Sequence, residues 1–154
     1  MATDVQAGLF TVGVFQDVDW AARALDALIK RLAFPQESIS IMGKDTPELA
    51  ALVESALGAP PERLDVQNLG PLVVRGPLVA ALQRADGELA RKGVAATMRR
   101  VGFQAHDGRI FETLTARGGV LVAIHSEPRA SDALAALHSY GGGNAAIGAW
   151  GGRV

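Results

Sequence analysis

Two stretches at opposite ends of the chain follow one order of elements: TVGVFQDVDWAARALDALIKRL and LVAIHSEPRASDALAALHSYG. Each reads as strand, acidic or proline-containing turn, amphipathic helix, a glycine or proline stop, then a second strand. Aligned on their strands, Val12 matches Val122, Val14 matches Ile124, Phe15 matches His125 and Asp17 matches Glu127. After a one-residue deletion Leu25 matches Leu134 and Leu28 matches Leu137. Two βαβ units in one chain predict an α+β fold, a ferredoxin-like sandwich with helices on one face of a four-stranded antiparallel sheet. The halves cover about 8–43 and 106–150 of a single domain spanning 1–154, with a mostly helical central insertion over about 45–105. Alternating helices and strands also fit a parallel doubly wound sheet. The middle, richer in helical than in strand patterns, argues against it.

Local signals place the elements. GLFTVGVF is β-rich and almost wholly apolar, the pattern of a strand buried on both faces. Asp17 or Asp19 can cap the next helix by accepting from amides of its first turn. Trp20, Ala24, Leu25, Leu28, Ile29 and Leu32 form its apolar stripe, and Pro35 prevents continuation. SISIM alternates as a strand. Asp45-Thr46-Pro47-Glu48 carries the marks of a helix start, and Gly58 those of its end. The segment from Leu64 to Val74 reads as extended, broken near Gly70-Pro71. Pro77 opens a helix with Leu78, Leu82, Ala85 and Leu89 on one face; Val94, Met98 and Val101 predict another, Asp107 a third. VLVAIH is a strand, Glu127-Pro128 begins a helix ended by Gly141 to Gly143, and AAIGAW is the last strand.

Composition excludes several classes of function. Cysteine is absent, so disulfides, thiolate catalysis and zinc–thiolate sites are ruled out. A net charge of −1 gives no general attraction to nucleic acid or to an anionic membrane. No run approaches the roughly 20 apolar residues of a membrane span, and MATDVQAGLF lacks the basic start of a signal peptide. The expectation is a soluble, cytoplasmic protein. Hydrophobic residues are 49 % but aromatics only 5 %, so the core must be aliphatic, with Phe10, Phe15, Trp20, Phe34, Phe103 and Phe111 as its few large fillers.

The stretch VQNLGPLVVRGPLVAAL resembles the segment with repeated Gly-Pro and an alanine-rich follow-on in the bacterial general stress protein family (the heat-induced, 17M-like domain). GLFTVGVFQDVDWAARALDAL is similar to that family's opening strand and helix, ISIMGKD to its second strand, and RIFETLTARGGVLVAIHSEPRASDALAALHSYGG to its Gly-Gly, strand, histidine turn and helix. The chain departs from the pattern in GELARKGVAATMRRVGF, which is more charged than the family's glycine- and alanine-rich helical stretch. The resemblance implies a stress-associated soluble protein and carries over no catalytic residue.

Chemistry-bearing constellations are sparse. His106, His125 and His138 match no metal-site spacing. His125, at a strand end, is the histidine best placed for a base or a ligand. Asp107, Glu112, Glu127 and Asp132 show no spacing that forces two carboxylates together, and Ser126 and Ser131 lack a nucleophile elbow. Gly141 to Gly143 and the glycines around Trp150 lack the strand-then-helix setting of a phosphate loop. Arg91, Lys92, Arg99 and Arg100 form a basic cluster that reads as a solvated helix face rather than a nucleic-acid patch. Gly76-Pro77 reads as a strand-to-helix turn; its functional counterpart is an anion site at the following helix start, aided by Arg75. The resulting expectation is a non-enzymatic, stress-associated protein, without cofactor or metal, that acts as a homo-oligomer or by binding a protein partner. A small-ligand or anion-binding regulatory domain with a cleft near Arg75 and His125 is the alternative, and an enzyme with a histidine base the third.

Overall fold

The computed structural model describes residues 8–125, 129–141 and 146–150. In chain order these form β1 (Gly8–Phe15), α1 (Val18–Asp26) running into a π-helical turn (Ala27–Arg31), a 3-10 turn (Gln36–Ser38), β2 (Ile39–Lys44) and α2 (Pro47–Leu57). There follow β3 (Glu62–Val66), β4 (Gly70–Arg75), α3 (Pro77–Gln83), α4 (Glu88–Lys92), α5 (Val94–Arg100) and α6 (Ala105–Ala116). β5 (Val120–His125), α7 (Ala130–Ser139) and β6 (Ala146–Trp150) complete the chain. The strands make one sheet in the order β3-β4-β2-β5-β1-β6, every pair antiparallel. The chain is therefore α+β, and a parallel doubly wound sheet is excluded.

The sheet is apolar on both sides and covered on both. Phe10, Val12, Val14, Met42, Leu72, Val74, Leu121 and Ala123 face one way and pack with Leu78, Leu82, Leu89, Val94, Met98 and Phe111 of α3 to α6. Phe15, Ile39, Ile41, Val73, Val120, Val122 and Ile124 face the other way and pack with Leu25 and Leu28, with Leu49 and Val53 of α2, and with Ala133 and Leu137 of α7. This corrects the expectation of helices on one face. The insertion brings its own cover for the second face, and its β3–β4 hairpin widens the sheet to six strands. The chain reverses at Gln67 to Leu69 rather than at Gly70-Pro71, with the Leu69 amide donating to Val66 and Asn68 at φ 73°.

Burial also corrects the register of the repeat. The match of Val12 to Val122 and Val14 to Ile124 joins residues on opposite faces. A constant offset of 109 positions, without a deletion, keeps faces together. Val12 and Val14 then match Leu121 and Ala123 on the insertion side, while Phe15, Ala24 and Leu28 match Ile124, Ala133 and Leu137 on the other. Ala21 with Ala130 and Ala27 with Ala136 are buried pairs as well. Strands apolar on both faces give hydropathy no means of detecting a one-residue slip, although that slip inverts every side chain. Ser126, Glu127, Pro128, Gly142, Gly143, Gly151 and Gly152 lie outside the described residues.

Short helices need help at their ends, because their first amides lack partners within the helix. α1 and α2 are capped locally, by Asp17 accepting from Trp20 and Thr46 from Leu49. α3, α4 and α5 begin after Gly76, Gly87 and Gly93 and are capped by side chains outside themselves. Ser40 Oγ accepts from the Leu78 amide at 2.8 Å, Gln83 Oε1 from Ala90 at 3.0 Å and Glu112 Oε1 from Ala95 at 3.0 Å. Gly76 makes the first of these contacts possible. Its φ is +117°, and an added Cβ would lie 2.5 Å from both the Ile39 carbonyl oxygen and Ser40 Cα. Gly76→Ala is expected to cost on the order of 3 kcal/mol in urea denaturation, through clash and strain together. Gly70→Ala, at φ +78° with open space around it, is expected to cost only the left-handed strain of about 1 kcal/mol. Equal costs would refute this account of the Gly76 turn.

Candidate functional site

A cleft of about 730 Å³ opens at the end of the sheet where β2 begins and β4 ends. Its apolar surface comes from the half-buried Leu57, Ala59, Pro77 and Ala80, with Ile39 and Val79 buried behind them; its rim carries Glu37, Glu62, Arg75 and Arg84. Gln36 ties the 3-10 turn to the end of α2 by donating to the Ala56 carbonyl at 2.8 Å, which fixes one wall. Arg75 Nη1 donates to the Pro60 carbonyl at 3.2 Å and lies 3.8 Å from Glu62. The opposite wall is α3, which ends at Arg84 with φ 54° and ψ −162°, a conformation costly for any residue with a Cβ.

The structure places the sequence-derived candidates apart from one another. Arg75 lines the cleft and His125 does not. Alternation along β4 turns Arg75 to the side of Val73, toward α2. Alternation along β5 turns His125 to the side of Leu121 and Ala123, where it stacks on Phe10 at 4.3 Å. Arg75 pairs in register with Ile41, and Ile41 with Val122, so His125 is also three positions further along β5. The anion site foreseen at the start of α3 has little to offer, since Pro77 lacks an N–H and Ser40 occupies the Leu78 amide. His106 and His138 are exposed on α6 and α7. Among the described residues no group of three or more His, Asp or Glu side chains could hold a metal ion. Glu112 is a helix cap and Asp132 pairs with Arg129.

The basic cluster divides: Arg91 and Arg99 are exposed, while Lys92 and Arg100 belong to a charge clamp. Arg91 pairs with Asp86 at 3.1 Å on the surface. Lys92 and Arg100 converge on Glu88, at 3.2 Å and 2.6 Å, with Arg84 at 3.8 Å. Arg100 also donates to the Ala81 and Leu82 carbonyls at 2.8 and 2.9 Å, so one guanidinium joins α5 to the end of α3 and the start of α4. Glu88 is buried, with only 8 % of its surface exposed. That burial works to raise its pKa. The hydrogen bond from Lys92, with the charge and hydrogen bond of Arg100, outweighs it and holds the carboxyl below the ordinary 4.5. The spacing of Glu88 and Lys92 was a visible helix-pair signal; the contact to Arg100, twelve residues away, had none.

Among the described residues no helix is long and apolar enough to cross a membrane. No protein-family model, curated protein or solved structure matches the chain.

A carboxylate with a lowered folded pKa stabilises the fold above its unfolded pKa, and that stability is lost as pH falls through the folded value. The wild-type chain is therefore expected to lose stability below about pH 4.5 partly through Glu88. Glu88→Gln is expected to unfold more easily at pH 7 by about 3 kcal/mol, because three cations lose their shared partner, and to show a shallower acid dependence. Parallel pH–stability curves for the two proteins would contradict this.

Proposed function

We propose that the chain is a ferredoxin-like sheet whose work is association. In this reading it is a stress-associated, cytoplasmic protein without chemistry of its own, which forms a homo-oligomer along β6. The order β2-β5-β1-β6 supports the fold reading: taking β1, β2, β5 and β6 as the four strands of the two halves, each half contributes one inner and one outer strand. Because the insertion covers the second sheet face, that face is not what a second copy would cover. The edges are what remain. β3 carries Glu62, Arg63 and Asp65 along its five residues, and α4 reaches its end through the Gln67 to Ala90 hydrogen bond. Charges of that kind discourage pairing between chains. β6, with the sequence AIGAW, carries none. That asymmetry between edges is the observation that carries the proposal. Two β6 edges related by a two-fold axis perpendicular to the sheet pair antiparallel, as every other pair in the sheet does.

Sedimentation at micromolar concentrations is expected to show a dimer, with β6 amides gaining hydrogen-exchange protection as concentration rises. A proline placed in β6 to block pairing at its free edge is expected to yield a monomer in the same concentration series. A wild-type protein that stays monomeric throughout the concentration series would end this reading.

The cleft favours a second reading, a small-ligand or anion-binding regulatory domain that involves Arg75 and leaves His125 aside. Its 730 Å³ falls in the range of roughly 300–1,000 Å³ that small-molecule sites occupy. A ligand held at 100 times its Kd would stabilise the fold by about 2.7 kcal/mol, a clear rise in melting temperature. A panel of nucleotides, phosphates and organic acids that produces none would remove this reading.

A further inference from the structure

We propose that the cleft takes an amphipathic anion, with its charged head on Arg84 and an aliphatic body on Leu57, Pro77 and Ala80; this rests on the second reading above. The two rim arginines differ in what already holds them. Arg75 donates to Pro60 and sits beside Glu62. Arg84 lies 3.8 Å from Glu88 Oε1, too far for a hydrogen bond, and that oxygen already accepts from Arg100 at 2.6 Å. The other Glu88 oxygen accepts from Lys92 at 3.2 Å. With Arg100 and Lys92 each donating to one oxygen, Arg84 is a third cation around a single negative charge, and its side chain is 31 % exposed at the cleft rim.

Backbone and rim charges agree with this assignment. Arg84 stands at φ 54° and ψ −162°, where glycine would be at ease and arginine is strained. The loose 3.8 Å ion pair with Glu88 does not offset that strain with a hydrogen bond. Glu37 and Glu62 carry the opposite sign elsewhere on the rim. They repel an anionic head from their end and orient the ligand, head toward Arg84 and body over the apolar surface. A carboxylate or a phosphate monoester head would satisfy the same guanidinium.

Amide spectra titrated with octanoate test the idea, with octyl phosphate, octanol, octylammonium and inorganic phosphate as comparisons. Octanoate or octyl phosphate is expected to shift the Leu57, Ala80 and Arg84 amides saturably, and the better of the two identifies the head. Octanol should bind about tenfold more weakly for want of one charge-assisted contact, and octylammonium should leave these amides unmoved. Arg84→Gly should lose about tenfold in affinity for the anion while melting no lower than the wild type, because it relieves the strained backbone. Equal binding of octanol and octanoate, or unchanged anion binding by Arg84→Gly, would overturn the assignment. If inorganic phosphate or octanol saturates the cleft while both amphipathic anions fail, a ligand site stands and this ligand class falls; if no probe moves the cleft amides, both fall.

Discussion

A sheet whose strands are apolar on both sides has to be covered twice. β1 alone puts Phe10, Val12 and Val14 into one core and Phe15 into the other. α1, α2 and α7 cover one side. The segment between β4 and β5 covers the other. Three of its helices are short, five to seven residues in α3, α4 and α5, and helices of that length do not persist alone in water. They hold because the sheet presents the apolar surface they pack on, and because Ser40, Gln83 and Glu112 complete their ends. The charge clamp at Glu88 then fastens these three to one another.

This dependence explains which features could be foreseen. The caps of α1 and α2, the αL glycine at Gly58 and the Gly76-Pro77 turn all lie within a few residues of the end they serve, and sequence reveals such signals. The insertion's caps come from up to 38 residues away, so nothing near Gly87 or Gly93 announces them. Sequence pointed to a broken extended segment around Gly70 but not to a hairpin, because the turn at Asn68 lacks the usual glycine pair. The doubled cover of the sheet was missed for a different reason. An apolar stripe says that a helix has a buried face, not which side of a sheet receives it.

The candidate site was less legible than the fold. The sequence marks Arg75 beside a helix start, and Arg75 lines the cleft. It marks His125 at a strand end, and alternation sends that side chain to the opposite side of the sheet. Arg84 gave no signal, since its interest lies in a backbone angle and in the crowding of three cations around one carboxylate. Both are properties of the assembled structure.

The pairing order has a consequence for synthesis. β1 is made first, yet its neighbours are β5 and β6, with Phe10 opposite His125. At ordinary elongation rates the ribosome needs roughly ten seconds to make what separates them. Through that interval GLFTVGVF is an unpaired, nearly uncharged β-segment of the kind that seeks other chains. The nascent polypeptide is therefore most vulnerable to aggregation just before its last strands emerge, and its yield in a cell should depend on whatever shields an exposed N-terminal strand during translation.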